Sequence, residues 1–188
     1  MQRAWLGVLV SASLAFVGCE SQSDSAAPSE VSSGKPTVYD NGHALSIPTT
    51  DPLVTSFESE LLTLVNSHRA AHGLNVLVDS GRIGDGARAH ATHMIEHRFF
   101  AHACPEGFTP GERLAMAGVD WMAVGENIAA GQGTTPQAIF EAWMASPLHR
   151  AKIESELYTH AGAGYAFDTT PTPEFPDGDY WVLLFVRR

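Results

Sequence analysis

The hydrophobic and polar positions between residues 51 and 188 follow helical periods first and strand-like runs last. Apolar residues recur every three or four positions in a segment that closes at Gly73, and Thr55 with Glu58 forms a predicted capping box at its start. The same spacing predicts a second helix from about Ser80 to His97. Ordered structure is therefore expected to begin near residue 51.

Two further helices are predicted from their first residues. Thr109, Pro110 and Glu112 have the residue types of an N-cap, a first helical position and a capping box, and Gly118 supplies the stop. Thr-Pro at 135 and 136 starts a fourth helix, which should break at the Ser-Pro pair of residues 146 and 147.

The C-terminal segment has a different character. The runs GAGYAF (162 to 167) and YWVLLFV (180 to 186) are short and rich in β-branched and aromatic residues, and a Pro/Asp/Gly loop separates them. They predict an antiparallel pair of strands. Because helices come first and strands last, the pattern favours an α+β fold over alternating βαβ units.

The first 50 residues read as targeting and tethering segments. Arg3 precedes an apolar run from Ala4 to Val17, and Gly18-Cys19 follows, which predicts a lipoprotein signal peptide over residues 1–18 with lipidation of Cys19. An ordinary signal peptide or a membrane anchor is the alternative. Residues 19–50 are rich in Ser, Ala, Pro, Gly and Thr and predict a flexible tether, leaving residues 51–188 as the folded domain.

Charge and composition narrow the partners. The chain has 188 residues, 44% of them hydrophobic, so it can bury a sizeable core. Its formal charge of -10, with only 11 Lys and Arg, argues against a nucleic-acid partner, because binding a phosphate backbone needs clustered basic residues. The predicted partners are a bacterial membrane, through the lipid on Cys19, and a ligand outside the cytoplasm.

Several separate motifs resemble one known family. The segments FFAH (99 to 102), PEGFTPGER (105 to 113), GENIA (125 to 129), WMASPLHR (143 to 150) and the closing YWVLLF occur in the order found in the CAP superfamily. That superfamily includes the cysteine-rich secretory, antigen 5 and pathogenesis-related proteins, and its domain is also called the SCP domain. The resemblance implies an α-β-α sandwich with a central antiparallel sheet and a cleft lined by two His and, in many members, two acidic residues.

The resemblance also implies which residues line the cleft. His102 and His149 correspond to its two histidines and Glu126 to the GEN glutamate, whereas Ser146 stands where eukaryotic members have a second acid. Glu126 lies in a small, apolar stretch, so it needs a partner, and we expect it to face both imidazoles. On this expectation, Glu126→Gln weakens the fold more at pH 5 than at pH 8, because the mutation removes the partner of protonated His.

Two functions remain open at this stage. One is a membrane-tethered binding module whose cleft holds a peptide, lipid or cell-wall ligand. The other is a zinc-dependent, peptidase-like hydrolase with His102 and His149 as ligands and Glu126 as base or orienter. Zinc is the one candidate cofactor, and a third interpretation gives Glu126 a purely structural role between the imidazoles.

Other polar residues have simpler interpretations. Ser146 precedes Pro147, which favours an N-cap over a nucleophile activated by His149. The second helix carries three histidines on one side; only His90 leans toward the apolar stripe, and a solvated polar flank is favoured over a zinc site for His93 and His97 despite their four-residue spacing. Cys104 is predicted to be a free, buried or partly buried thiol.

Overall fold

A computed structural model describes residues 51–173, 176 and 178–188. The predicted signal peptide, the lipidation site Cys19 and the predicted tether (residues 1–50) lie outside these residues. The described chain contains five helices and four strands in this order: α1 (Pro52–Ala71), β1 (Val78–Asp79), α2 (Gly81–Glu96), α3 (Pro110–Met116), β2 (Ala123–Gly131), α4 (Pro136–Ala145), α5 (Pro147–Ile153), β3 (His160–Phe167) and β4 (Asp179–Arg187).

The four strands form one sheet in the order β1-β3-β4-β2. β4 lies inside the sheet and pairs antiparallel with β3 and with β2, while the two-residue β1 pairs parallel with β3. The predicted antiparallel pair of C-terminal strands is therefore confirmed. β2 lies at one edge, with Glu126 opposite Leu184 of β4.

Alternation along β4 divides the core into two layers. Trp181, Leu183 and Phe185 pack with the buried faces of α1, α4 and α5. Tyr180, Val182, Leu184 and Val186 instead pack with α2 and α3. Because successive side chains of a strand point to opposite faces, an uninterrupted hydrophobic run is required when both faces are covered. The predicted α-β-α sandwich is confirmed.

Glycines in β3 allow α2 to lie directly on the sheet. A Cβ atom added to Gly162 would clash with the backbone of Gly84, and one added to Gly164 would clash with the backbone of Arg88. Any side chain at these two positions would therefore push the helix away from the sheet. The GAG sequence of β3 is explained by this close approach.

Most helix boundaries agree with the predictions, with one correction at the start. α1 begins at Pro52, because Asp51 caps it by accepting a hydrogen bond from the N–H of Leu53. The capping box predicted at Thr55 and Glu58 is wrong: the Thr55 hydroxyl donates to backbone carbonyls of the first turn, and Glu58 bonds Arg88. An earlier cap followed by Pro at the first helical position took precedence.

The other helices start and stop where local chemistry predicts. Thr109 forms the predicted capping box with Glu112, and Thr135 caps α4. The chain breaks between α4 and α5 at Ser146, as expected for a Ser-Pro pair. Within the described residues, no helix combines the length and apolar character needed to cross a membrane.

Candidate functional site

The edge strand β2 carries the GEN motif and directs its two polar side chains to opposite faces. Val124 and Ile128, which alternate with Glu126, belong to the core between the sheet and α2. Asn127 points the other way and reaches α5. The edge position matters because groups from both helical layers can meet around β2 without another strand between them.

Glu126 is buried and uses each carboxylate oxygen for a different partner. Its Oε1 lies 2.8 Å from Nδ1 of His102, and its Oε2 accepts a hydrogen bond of 2.6 Å from Nη2 of Arg113. The Glu126 residue is only 3% exposed, whereas the His102 side chain is 28% exposed. The carboxylate therefore joins a buried guanidinium to an imidazole that reaches the surface.

Arg113 also fixes the loop that carries His102. Its Nη1 donates to the backbone oxygens of His102, at 2.6 Å, and of Phe108, at 3.1 Å. The arginine is held in α3 by the Thr109 capping box one turn earlier. One buried side chain thus neutralises Glu126 and positions the backbone of His102.

The charge of Glu126 is retained despite its burial. Burial raises the pKa of this carboxyl, but the Arg113 guanidinium and the imidazoles of His90 and His102 lower it, and the pKa falls to about 2. Glu126 is therefore ionised at any pH near neutrality. An ionised acceptor beside Nδ1 of His102 favours the tautomer with the proton on Nδ1, leaving Nε2 as the acceptor.

The second histidine is held through Asn127. Its Nδ2 donates to the backbone oxygen of His149 at 3.1 Å, near the start of α5. The His149 ring lies 6.4 Å from the Trp143 ring, and the Trp143 indole N–H donates to the backbone oxygen of Ile128 at 3.4 Å. The hydrogen bonds from Asn127 and from Trp143 both connect the α4-α5 corner to β2.

Gly125 completes the motif for a packing reason. A Cβ atom at this position would come within 2.5 Å of the Tyr158 hydroxyl oxygen. Tyr158 is itself packed in the core beside Phe185. Each residue of GEN therefore has its own role: space for a tyrosine, a charge for the His102 loop, and an anchor for α5.

His149 is kept neutral near physiological pH. Its pKa is lowered to about 4 by burial, by Lys152 and by His102. Its Nδ1 is buried and makes no hydrogen bond to any residue that the structure describes. Buried polar atoms usually have a partner, so the hydrogen bonding of this nitrogen is incomplete within the described residues.

The expectation for Glu126 is corrected in part. Glu126 contacts His102, but its second partner is Arg113 and not His149. The sequence motif PEGFTPGER contains Arg113 and contributed to the family resemblance, yet no role was assigned to it. Its contacts with Glu126 and with two backbone carbonyls join residues that are distant in sequence, so helical periodicity could not indicate them.

Ser146 lies at the junction of α4 and α5 and occupies the N-cap position of α5, as the Ser-Pro pair predicts. Its side chain makes no capping hydrogen bond. His90, which leans toward the apolar stripe as expected, is buried, and its Nε2 lies 3.0 Å from the backbone oxygen of Ala101. It therefore supports the segment just before His102.

The cleft does not fit the predicted zinc site. Both oxygens of Glu126 are engaged, one by His102 and one by Arg113, so this carboxylate is not available as a third ligand. In the described part of the chain, His102, Glu126 and His149 do not form a group of converging ligand atoms. The prediction named His102 and His149 as ligands and Glu126 as base or orienter; a catalytic zinc usually takes three protein ligands beside its water, and these histidines supply two.

Comparison with known families agrees with the geometry. A model of the cysteine-rich secretory protein (CAP) family matches residues 62–185, which include both cleft histidines and Glu126. The chain belongs to the CAP family. The family was expected from five short motifs, and that expectation is confirmed.

Two curated relatives of this CAP domain come from Bacillus subtilis (strain 168). YkwD is 32% identical over 135 residues, which is 72% of this chain and 49% of YkwD. The membrane protein YlbC is 34% identical over 134 residues, which is 71% of this chain and 35% of YlbC. The chain thus spans half or less of these relatives.

Two solved structures have the same fold as this chain. An extracellular SCP-domain protein from Bacillus anthracis superposes with a TM-score of 0.64 and 27% identity, covering 75% of this chain and 45% of that one. An outer surface protein from Borrelia burgdorferi gives a TM-score of 0.61 at 22% identity, covering 69% of this chain and 91% of that one. The second likeness concerns the fold alone.

Proposed function

We propose that this CAP domain is an extracytoplasmic binding module whose cleft, between His102 and His149, takes a peptide-bearing cell-wall ligand. The observation that carries the proposal is the contrast between a carboxylate with both oxygens engaged and the His149 imidazole, which has a ring nitrogen unpaired within the described residues. Glu126 is fully occupied by His102 and Arg113, whereas Nδ1 of His149 is buried without a described partner. Such an arrangement is suited to holding polar groups.

The chemistry of the cleft favours amide-containing ligands. The Glu126 charge is balanced by Arg113, and His149 is neutral near pH 7. These three side chains together therefore carry no net charge. The neutral His149 ring has one donor and one acceptor nitrogen, and His102, whose Nδ1 faces Glu126, presents its Nε2, which suits peptide groups and amidated or acetylated sugars. A peptide, a lipid headgroup and a cell-wall fragment are distinguished by the test.

The test is direct titration of the purified protein with soluble peptidoglycan fragments, monitored by calorimetry. His102→Gln is expected to weaken binding at least about tenfold, as the loss of one hydrogen bond of about 1.4 kcal/mol requires. His72→Gln is the matched control, because His72 is an exposed histidine at the C-cap of α1 and is not one of the residues assigned to the cleft. Unchanged binding in His102→Gln would refute the cleft as the site.

Parallel titrations identify the class of ligand. Unstructured peptides and phospholipid vesicles replace the cell-wall fragments in otherwise identical experiments. A preference for fragments that carry their stem peptide supports the proposal, and a preference for vesicles that is lost in His102→Gln would assign a lipid ligand instead.

We also propose that the protein is attached to a bacterial membrane through a lipid on Cys19. The apolar run before Gly18-Cys19 supports this proposal, as do similar proteins named as extracellular, outer surface and membrane proteins. Cys19→Ala should move the protein from the membrane fraction to the soluble extracytoplasmic fraction. Retention of Cys19→Ala through detergent-free washing would contradict lipid anchoring.

A hydrolase remains the second candidate, supported by the His102–Glu126 pair. A carboxylate on Nδ1 orients an imidazole whose Nε2 could act as a general base toward bound ligand. Release of peptides from the same cell-wall fragments, abolished in His102→Gln and insensitive to chelator, would establish this activity. Zinc-dependent hydrolysis would require a ligand set that the cleft does not assemble.

A further inference from the structure

Three ligand types converge at the C-terminal end of α2, outside the set of residues assigned to the cleft. A ring nitrogen of His93, the sulfur of Cys104 and a carboxylate oxygen of Glu106 all lie within 4.8 Å of one another. Among the residues that the structure describes, this is the one group of three or more such atoms. Sequence alone favoured a solvated flank for His93 and a plain free thiol for Cys104.

A tight turn brings two of the ligands together. The N–H of Gly107 donates to the backbone oxygen of Cys104 at 2.8 Å, which closes the turn Cys104-Pro105-Glu106-Gly107. Gly107 has a φ of 91°, a conformation that glycine adopts without strain. The turn is also fixed by the Cys104 N–H, which donates to the Phe108 oxygen at 3.2 Å.

The third ligand comes from the last turn of α2. His93 lies one helical turn before the end of the helix, and its ring packs edge-on against Phe99 with centroids 5.3 Å apart. Its Nε2 is 3.5 Å from Oε1 of Glu106. The ring is therefore held against the turn by an aromatic neighbour from the connecting segment.

The separation between His93 and Glu106 is compatible with a shared metal ion. A separation of 3.5 Å exceeds a normal N–H···O hydrogen bond of about 2.9 Å. It agrees with the edge of a tetrahedron, roughly 3.4 Å, whose centre is a zinc ion about 2.0–2.2 Å from nitrogen and oxygen. Thiolate, imidazole and carboxylate are the three ligand types that zinc uses in proteins.

Burial on one side and exposure on the other would let an ion enter. Cys104 is 4% exposed and is not in a disulfide, while the side chains of His93 and Glu106 are 18% and 32% exposed. An ion would therefore approach from the Glu106 side and meet the sulfur at the base of the site. The open side leaves a fourth coordination position for water.

We propose that His93, Cys104 and Glu106 bind a zinc-class divalent ion, with water as fourth ligand, and that this ion fastens the loop of residues 97–109 to α2. The loop carries His102, and Arg113 already grips it at the His102 and Phe108 carbonyls. The ion would add a second attachment between these two points. It would stabilise the position of His102 without touching the cleft.

The test measures zinc bound by the purified full-length protein. The protein is reduced, stripped with chelator, given zinc, separated from free ion by gel filtration and analysed by mass spectrometry for metal. One equivalent is expected for wild type. Cobalt substitution should add a thiolate-to-cobalt charge-transfer absorption, which identifies sulfur in the coordination shell.

Four variants locate the ion. Cys104→Ser and His93→Gln should weaken zinc binding by more than about 100-fold, since even changes next to metal ligands cost about 10- to 100-fold. His97→Gln and His102→Gln should keep one equivalent. His97 is the matched control, because it lies beside His93, with ring centroids 4.3 Å apart, but outside the ligand group.

Three results would overturn the proposal. They are no zinc uptake by reduced wild type, full uptake by Cys104→Ser, and loss of uptake in His102→Gln with retention in His93→Gln, which would move the ion to the cleft. Circular dichroism of the metal-free variants checks that they fold. Protection of the 97–109 loop from limited proteolysis by zinc, absent in Cys104→Ser, provides the independent readout of fastening.

Discussion

Two buried Glu–Arg pairs have the same chemistry and different surroundings. Glu58 of α1 accepts from Nε and Nη2 of Arg88 on α2, at 2.7 and 2.5 Å, and from the N–H of Tyr165 on β3 at 3.0 Å. That pair joins three elements, and Arg88 also donates from Nη1 to Oδ1 of Asp85 at 3.2 Å. Glu126 gives Arg113 only one oxygen and gives the other to His102.

The difference lies in what the second oxygen does. In the Glu58 pair both oxygens accept from the Arg88 guanidinium or the Tyr165 N–H, so the pair contributes to the cohesion of the fold. In the Glu126 pair one oxygen orients an imidazole that is 28% exposed. The same ionic contact is therefore structural in the first case, and in the second it also positions a group that can meet a ligand.

The largest expected effect comes from removing Arg113. Arg113→Met leaves the Glu126 charge buried without its main partner, and we expect a loss of about 3–5 kcal/mol in the free energy of unfolding, measured by urea denaturation. Arg88→Met should also destabilise the protein but leave cell-wall binding of the folded fraction intact. A loss below about 1 kcal/mol in Arg113→Met would mean that Glu126 finds another partner.

Acid should destabilise the region around Glu126 because His90 becomes protonated. Burial lowers the pKa of His90 to about 4, with Glu126 raising it and Arg113 lowering it in smaller measure. This folded pKa lies below the unfolded value of 6.5. The contribution of neutral His90 to the free energy of unfolding is therefore fully present above pH 6.5, and about 3 kcal/mol of it is lost as pH falls toward 4.

The measurement for His90 is the slope of unfolding free energy between pH 6.5 and 4. His90→Gln should flatten that slope, whatever its offset at pH 7. His72→Gln, an exposed control, should keep the wild-type slope. An unchanged slope in His90→Gln would assign the acid sensitivity to other groups, of which His149 is the next candidate.

A smaller effect separates the two carboxylates directly. Glu126→Gln should reduce stability by about 2–3 kcal/mol through the loss of charge-assisted hydrogen bonds. Because the Glu126 pKa is depressed from 4.5 to about 2, the part of the deficit that comes from the titration of Glu126 itself should be equal at pH 8 and pH 5 and shrink only below about pH 4.5. This replaces the expectation of a larger deficit at pH 5, which assumed two histidine partners.

Glu58→Gln supplies the comparison for that experiment. It should also lower the melting temperature, but ligand binding by the folded protein should not change, whereas Glu126→Gln should weaken it. Thermal melts combined with calorimetric titration separate the two outcomes. Equal losses of binding in both variants would mean that the cleft responds to general stability rather than to Glu126.

The smallest stability effect is expected at His102 itself. The ring is partly exposed, and Glu126 keeps Arg113 when it is removed, so His102→Gln should change the free energy of unfolding by less than about 1 kcal/mol. Its binding defect should nevertheless exceed that of Glu58→Gln. A destabilisation comparable to that of Arg113→Met would make His102 a structural residue.

Local chemistry explains which parts of the fold could be predicted. The starts of α3 and α4 and the break at Ser146 depend on caps and prolines only a few residues apart, so the sequence indicates them directly. β2 was not predicted, because its GENIAAG run has glycines, alanines and two polar residues in place of β-branched alternation. Pairing with β4 compensates for this weak propensity.

The site divides in the same way. His102, Glu126 and His149 were identified from motifs, while Arg113 depended on a contact that spans α3, a loop and β2. A buried carboxylate in an apolar stretch does signal that a cation is needed, but it does not say which one. Only the packing of α3 against the sheet selects Arg113.

The alternation along β4 has a consequence for how the chain acquires its fold. Neighbours such as Trp181 and Val182 pack against different helical layers. A slip of β4 by one residue against β2 or β3 would therefore turn each of its side chains toward the wrong layer. Neither layer can therefore settle correctly while the other is misaligned. Correct pairing of β4 is therefore required by both core layers, and a misaligned β4 would disrupt the packing of each.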